Sequence, residues 1–283
     1  MTRVAYQGEP GAFGEEAVTG WFGDDVQPLP VPTFPAVMHA VESGEADAGV
    51  LPLENSLAGT VGDALDALAD GALRVVGEVL LPVRHQLLVR PGTDLGAIRR
   101  VRSHWQALAQ CERFLARHGW EIVPAADTAG AARELAADGD GDTAAIASRR
   151  AGERYGLEVA AADIQDADHN MTRFAILAPD AATVRPAGRL APGGAERETL
   201  LTFETGHRPG DLYRALGVLA EAGINLSRIE SRPSGAGPWR YRFLVQVAGD
   251  AEDDPLRTAL IGLEEHTSSM RILGSFDAAS GGA

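Results

Sequence analysis

A chain of 283 residues that is 45% hydrophobic can bury two ordinary cores, and all 25 of its basic residues are arginine. Without lysine there is no Schiff base, no lysine-anchored pyridoxal phosphate and no P-loop. A net charge of −15, with no arginine cluster beyond Arg99, Arg100 and Arg102, argues against nucleic acid as a partner.

Cys111 is the single cysteine and the seven histidines show no ligand spacing, so disulfides, metal and cofactor are not expected. No apolar run approaches the ~20 residues of a membrane span. Met1 leads straight into a strand, so the expectation is a soluble cytoplasmic protein.

Residues 3–6 read as a strand, and a turn containing Gly8, Gly11 and Gly14 leads into a helix through Glu15, Ala17, Val18, Trp21 and Phe22. The spacing is not G-x-G-x-x-G, and no acidic residue closes the second strand, so a dinucleotide is not indicated. Such a turn still leaves N–H groups free at the carboxyl edge of a sheet. Residues 31–34 read as a short proline-flanked strand, 35–42 as a helix with proline in its first turn, 48–53 as an apolar strand ending in Glu54, Asn55 and Ser56, and 62–69 as a helix. Strand and helix alternate, which implies a parallel sheet with helices on its faces.

Residues 73–89 are strongly β-like and broken at Pro82, where the chain crosses into a second unit. There, strands are expected at 99–102, 121–123 and 143–147 and helices at 103–118, 128–137 and 148–155, with Gly119 and Gly156 at helix C-caps. Ser103 and Gln106 fit a capping box, which aims helix N–H groups at a cleft and suits a carboxylate. Gln110 lies two turns further along the same face. Cys111, mid-helix and without a base, reads as core.

The stretch 163–177 (DIQDADHNMTRFAIL) passes from a crowded polar run directly into an apolar strand. It brings Asn170, Thr172 and Arg173 to the point where irregular chain becomes sheet, as at the rim of a binding cleft. After Ala178, prolines and glycines including Gly193 and Gly194 mark a linker. Beyond it the order is βαββαβ: strands at 199–204, 224–231, 239–247 and 270–276, helices at 210–222 and 255–264. That order is a ferredoxin-like sandwich.

Four segments, 8–17 (GEPGAFGEEA), 44–61 (GEADAGVLPLENSLAGTV), 103–111 (SHWQALAQC) and 170–174 (NMTRF), together resemble prephenate dehydratase of phenylalanine biosynthesis in order and spacing. Trp105 stands where that family usually has proline, and Ala12 and Gly14 replace its usual Thr and Ser. RPGDL at 208–212 and GINLSRIESRP at 223–233 resemble the ACT regulatory domain that ends such chains, with Asp211 and Ser227-Arg228 in place of the usual Ala and Thr-Lys.

The resemblance implies an α/β fold: a two-lobed catalytic region like type II periplasmic binding proteins, followed by a ferredoxin-like ACT domain. The corresponding division is residues 1–180 as catalytic region (lobe one about 1–80 and 160–180, lobe two about 81–159), 181–197 as linker, 198–277 as ACT domain and 278–283 as tail. The linker suggests that the catalytic lobes have a core of their own. Strand 174–177 should rejoin the first sheet antiparallel, placing Thr172 and Arg173 beside residues 54–56.

The activity implied is conversion of prephenate to phenylpyruvate, carbon dioxide and water. In that reading Thr172 donates a hydrogen bond to the leaving oxygen, while Asn55, Ser56, Ser103 and Gln110 orient the substrate. Arg173 balances a carboxylate, and Glu54 is a candidate proton source. Gly210, Leu212, Asn225, Leu226, Glu230, Ser231, Arg232 and Pro233 would belong to an effector site for L-phenylalanine between paired ACT domains, in a homo-dimer or tetramer. Two rivals stay open: an arogenate dehydratase, and a non-catalytic two-lobed amino-acid sensor.

Overall fold

In the computed structural model, which describes residues 1–138, 141–180, 184–192, 196–235 and 237–279, the alternation expected of the first stretch is present. Lobe one comprises β1 (Thr2–Gln7), α1 (Phe13–Phe22), β2 (Val26–Val31), α2 (Phe34–Glu42), β3 (Ala48–Asn55), β4 (Gly59–Thr60), α3 (Gly62–Asp70) and β5 (Arg74–Pro82). β2 lies earlier than the strand expected at 31–34. β2 is the edge of the sheet and pairs parallel to β1 on one side only, where Pro28 and Pro30 are tolerated. Thr33 then caps α2, accepting from the Ala36 N–H at 3.2 Å.

Lobe two holds β6 (Gln86–Val89), β7 (Arg100–His104), α4 (Trp105–Gln110), α5 (Glu112–Leu115), β8 (Glu121–Ala125), α6 (Thr128–Ala137), β9 (Thr143–Ala147), α7 (Arg149–Tyr155) and β10 (Glu158–Ala161), in the sheet order β10-β6-β9-β7-β8. The single helix expected over 103–118 is two short ones, interrupted at the fully buried Cys111. Burial pushes the Cys111 thiol up to about 12, so it is a core group and not a thiolate.

The chain returns to lobe one as β11 (Met171–Ala178), giving the sheet order β2-β1-β3-β11-β5 with β4 alongside β3. β11 is antiparallel to both neighbours and pairs Thr172 with Asn55, as the return crossing requires. At the hinge, Gly11 has a φ of 92°, and a Cβ on it would lie 2.7 Å from the Ala151 backbone. Only glycine lets α7 of lobe two come this close. Ser148 Oγ fixes the contact by donating to the Gly11 carbonyl at 2.6 Å.

The last domain comprises β12 (Arg197–Glu204), α8 (Asp211–Glu221), β13 (Leu226–Pro233), β14 (Tyr241–Ala248), α9 (Leu256–Glu265) and β15 (Ser269–Asp277), the expected βαββαβ with sheet order β13-β14-β12-β15. Its helices cover one face of the sheet. The other face shares a core with lobe one: Leu200, Leu244, Leu273 and Phe276 pack with Leu51, Leu53, Leu65, Leu68 and Val75. One catalytic-region core is therefore joint, whereas the core built on Leu87, Ile98, Val101 and Ile146 is internal to lobe two. Of the linker, residues 187–190 are strapped to the end of α1 by N–H donors from Ala187 and Gly188 to the Trp21 carbonyl. Gly193 and Gly194, and residues 280–283 of the tail, lie outside the described residues. Among the described residues no helix is long and apolar enough to cross a membrane.

Candidate active site

A cleft of about 360 Å³ opens between the lobes, lined by Asn55, Thr172 and Phe174 from lobe one and by His85, His104, Gln106, Gln110 and Thr128 from the crossing and lobe two. A bulge explains how Asn55 reaches it. Along β3, Pro52 pairs with Phe174, Glu54 with Arg173 and Asn55 with Thr172, so Leu53 is the extra residue opposite no partner on β11. Strict alternation would have put Asn55 on the face away from Pro52. The extra residue restores it to the cleft face, beside Thr172 and Phe174, and sends Glu54 to the opposite face.

The buried polar groups form one chain of bonds. Asn55 Oδ1 accepts from the backbone N–H groups of Leu57 (3.1 Å) and Ala58 (2.9 Å), which fixes the amide so that Nδ2 faces inward. Nδ2 donates to Asn170 Oδ1 at 2.8 Å and to Thr172 Oγ1 at 3.0 Å. Asn170 Nδ2 donates to Gln110 Oε1 (2.9 Å), and His85 Nε2 lies 2.8 Å from the same oxygen. An oxygen that only accepts requires a proton on His85 Nε2. Burial holds His85 below the usual histidine range, so the ring is a neutral donor. The acceptor side of the Thr172 hydroxyl is thus occupied, and its own proton is free to point into the cleft.

Of the residues expected to serve the site, Asn55, Thr172 and Gln110 meet in this network, with Asn170 between them. Ser103 does not line the cleft: it is fully buried at the end of β7, and its hydroxyl donates to the Ile146 carbonyl at 2.6 Å. The helix cap falls to His104, whose Nδ1 accepts from the Gln106 N–H at 3.4 Å, because β7 runs two residues further than expected. Ser56 is exposed, and its hydroxyl donates to the His169 carbonyl (2.8 Å) and accepts from the Met171 N–H (3.0 Å), clamping the loop that delivers Asn170 and Thr172. Arg173 and Glu54 face away. Arg173 Nη1 bonds the buried Glu78 carboxylate at 2.7 Å, and its Nε is 3.9 Å from Glu54.

His85 went unrecognised in the sequence because nothing in its spacing marks it; a histidine at the crossing beside Pro82 was the only signal. None of the residues lining the cleft is an arginine. What it offers an anion is a helix start. α1 begins at Ala12 with no side-chain cap, leaving its first N–H groups unoccupied by any side chain, whereas the start of α6 on the opposite wall is already capped by the Asp127 carboxylate.

The candidate effector residues divide. Gly210, with a φ of 86°, starts α8 near one end of the ACT sheet, and Leu212 packs into that domain's core. Asn225 is at the other end, its carbonyl bonded to the Ala248 N–H, next to Leu226. Glu230 and Arg232 reach lobe one, binding Thr60 and Asp66, whereas Ser231 and Pro233 are exposed. One chain does not gather these residues into a single pocket.

The prephenate dehydratase family model matches residues 4–182 and the ACT domain model residues 199–265. Arogenate dehydratase/prephenate dehydratase 2 of Arabidopsis thaliana, a chloroplastic protein, is 40% identical over 97% of this chain and 72% of its own length. The bifunctional N-acyl-homoserine lactone acylase/prephenate dehydratase of Komagataeibacter europaeus is 39% identical over 97% of this chain and 95% of its own. A crystal structure of prephenate dehydratase in complex with L-Phe from Arthrobacter aurescens superposes with a TM-score of 0.87 at 34% identity, covering 98% of this chain and 90% of that one. With its cleft, its network and both domain matches in place, the chain belongs to the prephenate dehydratase family and carries a C-terminal ACT domain.

Proposed function

We propose that this enzyme of the prephenate dehydratase type takes prephenate itself, and that Thr172 carries the chemistry by hydrogen-bonding the departing ring hydroxyl. The bond from the ring carbon to its carboxylate breaks, and that electron pair enters the ring as carbon dioxide leaves. The ring expels hydroxide from the carbon para to the lost carboxylate and becomes aromatic, and that hydroxide takes up one proton from solution to leave as the single water produced. Thr172 is too weak an acid to give up its proton freely. It stabilises the charge that develops on the leaving oxygen, as a preorganised donor does. One observation carries this reading: Asn55 Nδ2 donates to Thr172 Oγ1, which turns the hydroxyl outward as a donor. Gln110 and Asn170 hold Asn55 in that orientation, and the uncapped start of α1 supplies N–H groups for a substrate carboxylate.

Arogenate differs by an ammonium in place of the keto group. Among the residues lining the cleft Asp127 is the single carboxylate, and it is already engaged as the α6 cap through the Gly130 N–H. An ammonium therefore finds a compromised partner, and kcat/KM should favour prephenate when the purified protein is offered both compounds. Higher kcat/KM with arogenate would reverse the assignment, and turnover of neither would refute the reading of Thr172.

L-Phenylalanine is the proposed feedback effector, bound between ACT domains of a dimer or tetramer in the cytoplasm. Two things support this: the relative named above holds L-Phe, and Gly210 and Asn225 sit at opposite ends of one ACT sheet, so a second copy is needed to unite them. Coupling of about 1–3 kcal/mol would weaken prephenate binding roughly 5- to 150-fold. Calorimetry should detect phenylalanine binding to the wild type. Gly210→Val should abolish it and leave basal turnover unchanged, whereas equal inhibition of both proteins would remove Gly210 from the effector site.

A further inference from the structure

Arg228 of β13 belongs to the ACT domain, yet its side chain is only 7% exposed and ends on the active-site strand of lobe one. Nη2 donates to the Leu53 carbonyl at 3.1 Å, and Nε lies 3.7 Å from the Glu54 carboxylate. Nε and Nη1 are buried without a hydrogen-bond partner among the described residues. A guanidinium in that condition is poor value for stability, since apolar replacement of incompletely paired buried charges is often neutral or favourable.

Its contact has a specific address. Leu53 is the bulge residue of β3, left without a partner on β11. Its carbonyl is satisfied by the Val61 N–H (3.0 Å) and by Arg228. That bulge is what returns Asn55 to the cleft face. The next two outward positions along β13 repeat the pattern: Glu230 binds the Thr60 hydroxyl on β4, which pairs with Glu54, and Arg232 Nε binds Asp66 on α3 at 2.9 Å. Residues at i, i+2 and i+4 share one face of a strand, so β13 presents a row of charged side chains to the back of the site.

We propose that Arg228 is a positioning residue for Asn55, holding the β3 bulge from the ACT side so that the Asn55 amide meets Thr172. The ACT domain is thereby part of what assembles the cleft, and any displacement of β13 is transmitted to the bulge first. This rests on the reading that Asn55 orients the Thr172 hydroxyl.

Arg228→Met keeps the stem and removes the charge, so folding should survive with an unchanged or higher Tm. Turnover should fall about tenfold to a hundredfold, the scale of a misplacement of about 1 Å, with KM little changed. Arg228→Lys should recover part of the loss. In an Asn55→Ala background the same Arg228→Met change should cost less than about twofold, because its route to the chemistry is already cut. The Asn55 side-chain amide, observed by NMR in selectively labelled protein, should shift in Arg228→Met. Full activity of Arg228→Met, or an undiminished loss in the Asn55→Ala background, overturns the proposal. If the wild type turns over neither prephenate nor arogenate, the functional reading has failed and the amide alone decides: a shift retains Arg228 as the positioning group, an unmoved signal removes it.

Discussion

The two faces of the β3–β11 pair are built from neighbouring residues and opposite chemistry. The cleft face carries the neutral side chains of Asn55, Thr172 and Phe174, with Asn55 donating to Thr172 at 3.0 Å. The reverse face carries Glu54 and Arg173 and meets Arg228, Glu78 and Gln246, a cluster of charges between lobe one and the ACT sheet. The cleft face of this pair thus offers oriented dipoles, and its formal charges lie on the side that meets the ACT sheet. Fixed dipoles need no reorganisation as charge moves during the reaction, whereas a guanidinium in the cleft would favour the bound dianion as much as its transition state.

The most severe way to break this contrast is on the neutral face. Thr172→Ala should lower kcat by about 10²–10³-fold, the usual cost of one transition-state donor, with the Tm nearly unchanged. Thr172→Ser, which keeps the hydroxyl, should retain part of the rate. Asn55→Asp is the sharper variant. Its oxygen still accepts from the Leu57 and Ala58 N–H groups, but the group facing Thr172 now accepts instead of donating. The hydroxyl proton should turn toward the carboxylate, and the loss of kcat should approach that of Thr172→Ala. A fully active Asn55→Asp enzyme would show that the direction of this bond is irrelevant.

On the charged face the expected currency is stability. Glu78 is 2% exposed, with Arg173 as its ion partner and Gln246 as a second donor at 3.1 Å. Arg173→Met strands that carboxylate. Because Arg173 is itself 30% exposed and Gln246 remains, the penalty should be about 2 kcal/mol, within the range for an unsatisfied buried group. Denaturant unfolding would register it, while KM for prephenate should hold. A large rise in KM at unchanged stability would instead return Arg173 to the substrate, the role its place in the NMTRF segment suggested.

How much of this was readable in the sequence depends on the distance over which each feature is encoded. The helix at 128–137 and the strand at 143–147 were legible because the residue pattern that marks each lies within the element itself. The antiparallel return of β11, which sets Thr172 and Arg173 beside residues 54–56, followed from the two-lobed layout that the family resemblance implies. The bulge at Leu53 did not, because it is a mismatch between two strands more than a hundred residues apart and leaves no local mark. Ser103 looked like a cap, but β7 pairs with β8 as far as His104, and that tertiary pairing outcompeted the local capping preference. The shared core beneath the ACT sheet was hidden for a related reason: Leu200, Leu244 and Leu273 stand next to Leu201, Val245 and Ile272 of the helix-facing core, and an apolar strand does not name the second surface it meets.

The smallest effect tests whether His85 stays uncharged in the cleft. His85 has a folded pKa pulled below its ordinary value by burial, opposed in part by the bond to Gln110. In the unfolded chain the ring titrates near 6.5. Below that pH the unfolded state takes up a proton that the folded state refuses, so unfolding is favoured as pH falls. The contribution is fully present above about pH 6.5 and is lost as the pH drops toward the folded value, with a slope for one proton of at most about 1.4 kcal/mol per pH unit. His104 is shifted in the same direction by burial, with Asp127 opposing, so it adds to the slope and His104→Gln serves as the parallel control. His85→Gln keeps an N–H for Gln110 and cannot titrate. Its unfolding free energy, measured in denaturant from pH 7.5 to 5, should fall less steeply than the wild type's by up to one proton. An unchanged slope would mean that His85 takes up its proton inside the fold, and the cleft would then carry a cation beside Gln110.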